Sequence, residues 1–283
     1  MPPVPVTVYS PDSSLHNPLL MLRDMFRDLL AGRELAWRLA VRDINAQYRQ
    51  SILGILWAFV GPVTSTATWL FLSGAGIINV GKTELPYPIY VLTGTMIWSI
   101  FTEALNAPLN QTRSASGMLA KLNFPREAVI ISGIYQILFN AAIKVVLLLV
   151  SLLVVGINPG WGLLLFPLGI LSLLLVGTSL GLLITPVGML YSDVGRAVAV
   201  LLQFLMYVSP VIFPLPKSGW ALTLFKLNPL TPLIATTRDW LTGFPPADLG
   251  TFLAVNGVAL LLLLIAWLAY RLSMPIIIER MSA

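Results

Sequence analysis

One short motif in this sequence has the residue types that bind phosphate. The pattern G-x-x-x-x-G-K-[ST] is matched within GAGIINVGKT, residues 74–83, by Gly76, Gly81, Lys82 and Thr83. In nucleotide-binding proteins this loop follows a buried strand and opens a helix whose amino end faces the phosphates. Whether the motif binds ATP therefore depends on the elements that flank it.

The composition identifies an integral membrane protein. Of the 283 residues, 57% are hydrophobic and only 10% are charged, and the mean hydropathy is +0.85. Soluble chains average about 25% charged residues, so a soluble fold of this size would lack the charge to cover its surface. The chain has no cysteine, which excludes disulfides and thiolate metal sites. We interpret the net charge of +5 as basic residues in cytoplasmic loops and expect no nucleic-acid partner.

Six apolar stretches are long enough to cross a bilayer, which takes about 20 residues of helix. We therefore predict an all-α membrane protein with six transmembrane helices. Their approximate bounds are 52–79, 87–109, 127–156, 161–190, 195–213 and 250–271. Twelve of the seventeen Lys and Arg residues lie on one side of these stretches: before the first, in the loop after the second, at the start of the fifth, or at and beyond the end of the last. By the positive-inside rule both termini are then cytoplasmic.

This orientation places the phosphate-binding pattern on the outer face, where there is no ATP. Lys82 and Thr83 follow a long apolar helix instead of a strand, and ELPYP follows them instead of a helix. We therefore interpret the match as a chance one and the segment from Gly81 to Thr83 as a polar turn.

The sequence divides into three parts. Residues 1–50 form a cytoplasmic amino-terminal segment, 51–271 the six-span membrane domain and 272–283 a cytoplasmic tail. In the first part, apolar residues recur at helical spacing from Leu22 to Leu30 and again from Trp37 to Tyr48. This pattern predicts an amphipathic helix along the cytoplasmic membrane surface. A helix packed on another domain is the alternative.

Two connections have more content than simple loops. Residues 112–126 combine apolar and basic side chains, which is typical of a short cytoplasmic helix that contacts a protein partner; an ordinary connector is the alternative. Residues 214–249, on the outer side, contain two apolar pieces near 219–227 and 230–242, each too short to span. These pieces predict re-entrant or interfacial helices, which either gate an exit or cap the surface.

Two ionisable residues, Glu103 and Lys144, lie within predicted spans and are functional candidates. Counted from the outer edge of its span, Glu103 is about 24 Å deep, whereas Lys144 is about 25 Å above the inner edge of its own. In a hydrocarbon core of about 30 Å these depths put the two near opposite faces, so we predict no ion pair. Lys144 is expected to extend its side chain to the interface, or else to make a polar contact in a channel.

Aromatic residues are concentrated in the outer half of the spans. They form an ordinary interfacial belt, or some of them line a conduit in which their faces stack on sugar rings. The residues that would line such a conduit are Trp69, Tyr87, Tyr90, Trp98, Phe101, Phe204 and Tyr207.

Five stretches of the sequence, in the same order, resemble ABC-2 type permeases that export polysaccharides, a group with O-antigen, capsule and teichoic acid exporters. The first is RDINAQYRQSILGILWAFVGP (42–62), which is similar to the approach to the first span. The others are YPIYVLTGTMIWSIFTEAL (87–105), LAKLNFPREAVIIS (119–132), YSDVGRAVAVLLQFLMYVSPVIFPL (191–215) and LNPLTPLIATTRDWLTG (227–243). One departure is Ser192, where the family pattern has an arginine.

The resemblance implies the membrane subunit of an ATP-driven exporter in the bacterial inner membrane. Such permeases form homodimers, and each copy docks a separate cytoplasmic ATPase that binds the ATP and Mg²⁺, so no cofactor is expected in this chain. The first and fifth spans would line the path between the two copies. The residues implied in coupling to the ATPase are Arg113, Met118, Leu119, Lys121, Leu122, Phe124 and Arg126.

The resemblance also implies a polysaccharide substrate, often linked to a polyprenyl pyrophosphate. Arg38, Arg42 and Arg49 would then meet the pyrophosphate at the cytoplasmic entrance, since the arginine fork matches phosphate oxygens.

Two other classes of protein fit the sequence less well. A membrane enzyme acting on lipid-linked sugars would need paired carboxylates or a metal cluster, but the twelve acidic residues are scattered and the one histidine, His16, lies in the irregular amino end. An ion-coupled carrier would need acidic sites in the membrane and internal repeats, and we find no convincing repeat. We therefore expect a transport subunit that is not itself an enzyme.

Overall fold

A computed structural model shows the chain as a bundle of helices. It describes residues 18–49, 51–78, 81, 83–119, 126–246 and 248–282. No β-strand occurs in these ranges, which confirms the all-α prediction for them. Short 3₁₀ turns at Gly54–Leu56 and Gly160–Leu164 precede the third and sixth helices. In chain order the helices are α1 (Pro18–Ala31), α2 (Arg33–Arg49), α3 (Trp57–Gly74), α4 (Tyr87–Leu119), α5 (Glu127–Val155), α6 (Phe166–Leu190), α7 (Asp193–Tyr207), α8 (Trp220–Leu227), α9 (Leu230–Thr242) and α10 (Leu249–Ser282).

Four of the described helices are long and apolar enough to cross a membrane. They correspond to the first, third, fourth and sixth predicted spans, with bounds Gly54–Gly74, Glu127–Val155, Phe166–Leu190 and Leu249–Arg280. The second predicted span lies in α4, which is 33 residues long but carries many polar side chains, and the fifth lies in α7, which is only 15 residues long. The count of six spans therefore stays a prediction.

Two helices run beyond the spans predicted for them. α4 continues to Leu119, through the first half of the 112–126 connection, so the separate short helix predicted there is wrong for residues 112–119. α10 continues to Ser282, so residues 272–282 extend a helix instead of forming a separate tail. The predicted spans end where apolarity ends, whereas a helix needs only residues of adequate helix propensity and continues into polar sequence.

α4 and α6 form the centre of the bundle. α6 turns Gly177, Gly181 and Gly188 toward α4, at positions where a Cβ atom would meet Ala104, the Leu105 carbonyl or the Leu109 side chain. Small residues at such positions let two helix backbones approach closely, which is a common way for helices to pack in a membrane. α3, α5, α9 and α10 pack around this central pair.

The amino-terminal segment forms two helices that pack on the bundle. Backbone hydrogen bonding continues through Gly32, whose amide donates to the Asp28 carbonyl and whose carbonyl accepts from Ala36. α2 packs against α5 and buries Ala36, Leu39 and Ala40. The predicted amphipathic helix is present, and its location at the membrane surface stays a prediction.

An arginine on α10 fastens α1 to the bundle. Arg271 donates to the Asp28 carboxylate at 2.7 Å and to the Glu127 carboxylate, at the start of α5, at 2.8 Å. Beside this cluster Phe26 meets Trp267 edge to face, with ring centroids 5.4 Å apart. Three helices, α1, α5 and α10, are therefore joined at one point.

The predicted outer hairpin at 214–249 contains two short helices at the expected positions. α8 and α9 coincide with the apolar pieces at 219–227 and 230–242. α9 is 13 residues long, mostly buried, and packed against α4, α6 and α10. This burial agrees with a short helix shielded by protein, and its re-entry into the membrane stays a prediction.

Candidate functional site

A polar cavity of about 180 Å³ lies among α2, α3, α4 and α5 and is the candidate functional site. Its polar lining comes from α2, α4 and α5: Gln47, Tyr48, Ser99, Glu103, Asn140 and Lys144. Its apolar lining comes from the first turns of α3: Trp57, Ala58, Gly61 and Pro62. Both ionisable residues of the predicted spans thus face one cavity, and such residues inside a membrane are costly enough to indicate a function.

Glu103 on α4 and Lys144 on α5 form an ion pair, so the prediction that they lie near opposite faces is wrong. α4 and α5 follow one another along the chain and pack against each other as a helical hairpin. Glu103 lies 16 residues before the end of α4 (119 minus 103) and Lys144 lies 17 after the start of α5 (144 minus 127). At 1.5 Å per residue, both are about 24–26 Å from the same end of the hairpin. The prediction failed because the depth of Glu103 was counted from the outer edge of its span and that of Lys144 from the inner edge. The second span was also predicted to end at 109, ten residues before α4 ends.

The prediction that the Lys144 side chain extends to the membrane interface is also wrong. The lysine side chain is only 3% exposed and points to Glu103, whose side chain is 35% exposed. The alternative expectation was a polar contact in a channel: the polar contact is present, and its location in a channel stays a prediction.

Tyr48 and Asn140 extend the ion pair into a network that reaches α2. The Asn140 amide donates to the second carboxylate oxygen of Glu103 at 3.5 Å, and the Tyr48 hydroxyl donates to the Asn140 carbonyl oxygen at 3.2 Å. Burial, and secondarily the negative charge of Glu103, raises the pKa of Tyr48 above its usual 10.0, so the hydroxyl keeps its proton. The network therefore connects the amino-terminal segment to a charge pair inside the bundle.

A second chain of amides lies beside the first. Gln111 on α4 donates to Gln136 on α5, and Gln136 donates to Gln47 on α2 at 3.3 Å. The sequence contained a signal for this polar face that was missed: Gln136, Asn140 and Lys144 recur every four residues on an otherwise apolar helix. Residues at that spacing share one helix face, which predicts a single polar stripe.

The arginines predicted to meet pyrophosphate lie on one face of α2. Arg38, Arg42 and Arg49 are four and seven residues apart, which places them within about 40° around the helix. Arg38 and Arg42 pair with carboxylates of α2 itself, whereas Arg49 has no carboxylate partner among the residues that the structure describes. Of the α2 residues, Gln47 and Tyr48 line the cavity, and at 100° per residue they lie on a different face of the helix from the three arginines. Binding of pyrophosphate by these arginines stays a prediction.

The residues predicted to couple to an ATPase are divided between the end of α4 and the segment after it. Arg113 is exposed and donates to the carbonyl of Gly188, near the end of α6, at 2.5 Å. Met118 is half-buried and Leu119 is buried in the core of the same chain, so Leu119 serves internal packing. Arg126 is half-buried at the start of α5. Three further predicted residues lie outside the described ranges: Lys121, Leu122 and Phe124.

Three of the aromatic residues predicted to line a conduit are inside the bundle. Tyr90, Trp98 and Phe101 are buried on α4. Phe101 has no exposed surface, so its ring has no free face on which a sugar could stack. The prediction that Phe101 lines a conduit is therefore wrong for this conformation. Tyr87, at the start of α4, is half-buried.

The other aromatic residues lie on α3 and α7. Trp69 contacts Tyr207 with ring centroids 6.2 Å apart and Phe213 with centroids 5.5 Å apart. Phe204 and Tyr207 are 68% and 39% exposed. These rings bring α3 and α7 together and leave part of their surface free, and their contact with a sugar stays a prediction.

A buried arginine on α9 was not recognised from the sequence as a structural residue. Arg238 is 4% exposed and donates to the Pro210 carbonyl at 2.6 Å and to the Thr93 hydroxyl at 3.3 Å. Its guanidinium lies 3.8 Å from the centre of the Tyr90 ring, a cation–π contact. Arg238 therefore holds the turn after α7 against α4.

Comparison with known proteins covers most of the chain, the cavity included. A family model described as ABC-2 type transporter matches residues 34–241. The O-antigen export system permease protein RfbA of Myxococcus xanthus is 26% identical over 244 residues, 84% of this chain and 92% of that protein. A protein of the same name from Klebsiella pneumoniae is 23% identical over 207 residues, 70% of this chain and 76% of that protein. The polysialic acid transport protein KpsM of Escherichia coli is 23% identical over 208 residues, 71% and 78% of the two chains.

Proposed function

The chain belongs to the ABC-2 type transporter family, and we propose that it is the permease subunit of an ATP-driven exporter of cell-surface polysaccharide. The observation that carries this proposal is the family match over residues 34–241 of an all-helical membrane chain. The substrate class is supported by relatives whose names specify O-antigen export and polysialic acid transport, since both substrates are polysaccharides.

The permease crosses the bacterial inner membrane six times, with both termini cytoplasmic. Four apolar helices and the uneven distribution of basic residues support this topology. α4 and α7 are the other two spans. α4 tolerates polar side chains because other helices enclose it, and α7 is prolonged by the apolar turn at 208–213.

Two copies of the permease form a homodimer with α3 and α7 along the path. α3 buries only Thr66 of its residues, and α7 buries only Val198 and Leu202. The ring contact between Trp69 and Tyr207 places these two uncovered helices side by side. A second copy would cover part of both faces and enclose the path.

A separate cytoplasmic ATPase, one on each permease, supplies the energy and binds the ATP and Mg²⁺. The docking surface is the 112–126 segment, where Arg113 is exposed. The hydrogen bond from Arg113 to Gly188 joins this surface to α6, so a displacement of the end of α4 would be transmitted to the centre of the bundle.

The substrate is carried on a polyprenyl pyrophosphate, and the arginine face of α2 meets its phosphates.

The two other classes of protein, a membrane enzyme and an ion-coupled carrier, have less support. Among the described residues, no group of three or more His, Asp and Glu side chains could hold a metal ion for a membrane enzyme. Glu103 is paired with Lys144, so it is not the free carboxylate that an ion-coupled carrier needs.

The experiment compares the pure permease with the complex it forms with the ATPase of the same transport system. We expect no ATP hydrolysis by the permease alone, hydrolysis by the complex in proteoliposomes, and intracellular accumulation of polysaccharide when the permease gene is deleted. Normal surface polysaccharide in the deletion strain would overturn the substrate class. Nucleotide hydrolysis by the permease alone would overturn the division of labour between the two proteins.

A further inference from the structure

The charge of the polar cavity suits a neutral ligand. Glu103 and Lys144 contribute one negative and one positive charge and neutralise each other through their ion pair. Phosphate binding needs cationic donors that are free to meet the phosphate oxygens. The Lys144 ammonium is instead buried against Glu103, so the cavity favours an uncharged polar molecule over a pyrophosphate.

The hydrogen-bonding groups of the cavity suit a molecule with several hydroxyls. The Glu103 carboxylate is 35% exposed and keeps acceptor capacity beyond its contacts with Lys144 and Asn140. Gln47 is exposed at the rim and can offer both an amide donor and a carbonyl acceptor. Hydroxyl groups donate and accept, so they satisfy this mixed lining without adding charge.

The part of the lining that α3 contributes is apolar. Trp57, at the first turn of α3, is 58% exposed and lines the cavity. One turn further on, Gly61 leaves open space, because no atom lies within 4 Å of the position that its Cβ would take. An aromatic side chain in the same cavity as amide and carboxylate groups fits a sugar ring, which has an apolar face of C–H groups and a rim of hydroxyls.

The size of the cavity limits the ligand to one such ring. Its volume of about 180 Å³ equals about six water molecules at about 30 Å³ each. Pockets for drug-sized molecules are larger, about 300–1,000 Å³. An oligosaccharide would therefore extend out of the cavity past Trp57.

We propose that this cavity is a binding subsite for a single uncharged sugar ring, the one joined directly to the pyrophosphate of the carrier lipid. The proposal rests on the proposed function, in which the substrate is a lipid-linked polysaccharide. Tyr48 lines the cavity, and Arg49 is the next residue of α2, about 100° around the helix from it, so the Arg49 side chain would hold a phosphate outside the cavity and a residue away from its Tyr48 wall.

The experiment uses a cysteine as the reporter, because the natural chain has none. Ser99→Cys places a thiol in the cavity, and Ser114→Cys places one on the exposed face of the same helix. Each full-length variant reacts with N-ethylmaleimide in the presence of farnesyl pyrophosphate or of farnesyl pyrophosphate carrying one glucose. We expect the glucose-bearing lipid to slow labelling of Ser99→Cys at least fivefold, the sugar-free lipid to leave its rate unchanged, and Ser114→Cys to react equally fast with both.

Binding of the two radiolabelled lipids is measured separately, which distinguishes the ways in which the proposal could fail. Equal protection by both lipids would show that the cavity takes phosphate and would overturn the proposal. Binding of both lipids without protection would overturn the proposal and leave the proposed function standing. Failure of both lipids to bind would overturn the lipid-linked substrate together with the sugar subsite.

A second variant tests the aromatic wall. Trp57→Ala in the Ser99→Cys background should abolish the protection that depends on glucose and leave binding of the sugar-free lipid unchanged. Trp161→Ala is the matched control, since Trp161 is 87% exposed and lies outside the cavity. Full protection in the Trp57→Ala variant would overturn the assignment of the sugar face to this wall.

Discussion

Lys144 and Glu103 form one ion pair across α4 and α5, but they are unequally buried, with 3% and 35% of their side chains exposed. The ammonium depends on the carboxylate for nearly all of its stabilisation, whereas the carboxylate is also reached by solvent and by the Asn140 amide. Removing Glu103 would therefore leave a buried lysine charge without a partner, whereas removing Lys144 would leave a carboxylate that solvent still reaches.

We expect Glu103→Gln to destabilise the permease more than Lys144→Gln. Removing one partner of a buried ion pair costs about 3–5 kcal/mol, and the cost comes from the uncompensated charge that stays buried. The double variant leaves neither charge and should recover much of the loss. Thermal unfolding of the four proteins in detergent measures this order, and equal losses for the two single variants would contradict the unequal burial.

The close approach of α4 to the turn after α7 makes a second prediction. A Cβ on Gly94 would collide with the Val211 carbonyl and with the guanidinium of Arg238, which holds that turn. Overpacking of this kind costs about 1–3 kcal/mol, so Gly94→Ala should lower the thermal midpoint.

Gly117→Ala is the control on the same helix. No atom lies within 4 Å of the Cβ that this substitution adds, and alanine in a helix interior is more stable than glycine by about 0.5–1 kcal/mol. The midpoint should stay the same or rise slightly. Equal midpoints for the Gly94→Ala and Gly117→Ala variants would contradict the contact between α4 and the turn.

The sequence predicted the positions of the helices better than the contacts between them. A helix in a bilayer needs a long apolar run, so α5, α6 and the apolar part of α10 could be located from hydropathy alone. The short helices α8 and α9 were located in the same way, from apolar pieces between prolines and glycines. The ends of α4 and α10 could not be predicted, because both helices continue into polar sequence.

The contacts of the candidate site depended on those helix ends. The pairing of Glu103 with Lys144 follows from where α4 stops, and that position lies ten residues beyond the predicted span. The burial of Arg238 depends on a turn after α7 that presents the Pro210 carbonyl to it, which hydropathy does not encode. The polar stripe on α5 was the one part of the site that residue spacing could have shown.

The structure around the phosphate-binding pattern at 74–83 predicts that a substitution in this pattern has no effect on ATP hydrolysis or export. The element before it is helix α3, which ends at Gly74, and the Thr83 hydroxyl donates to the Leu85 carbonyl at 2.7 Å. A strand before the loop and a helix directly after it, which phosphate binding needs, do not occur in the described residues around it. Lys82 itself lies outside the described residues.

We therefore expect Lys82→Ala to leave both ATP hydrolysis by the assembled transporter and export unchanged. The control is the same substitution at the P-loop lysine of the ATPase subunit, which should abolish hydrolysis because that side chain contacts the nucleotide phosphates. Loss of hydrolysis on Lys82→Ala would show that the pattern in the permease binds nucleotide after all.

The junction of α1, α5 and α10 makes the last prediction. Arg271 is 25% exposed and pairs with Asp28 and with Glu127, which is 7% exposed. Arg271→Met removes both ion pairs and leaves the Glu127 carboxylate buried without its cation, which is costly. The unpaired Glu127 charge also repels the charge of Asp28. We expect α1 to separate from the bundle, seen as hydrogen–deuterium exchange at least several-fold faster over residues 18–31.

Arg196→Met is the control, because Arg196 and Asp193 form an ion pair whose side chains are 84% and 85% exposed, and exposed pairs contribute only about 0.2–1 kcal/mol to stability. Unchanged exchange in α1 of the Arg271→Met variant would show that Phe26 and the other apolar contacts of α1 are enough to hold it in place.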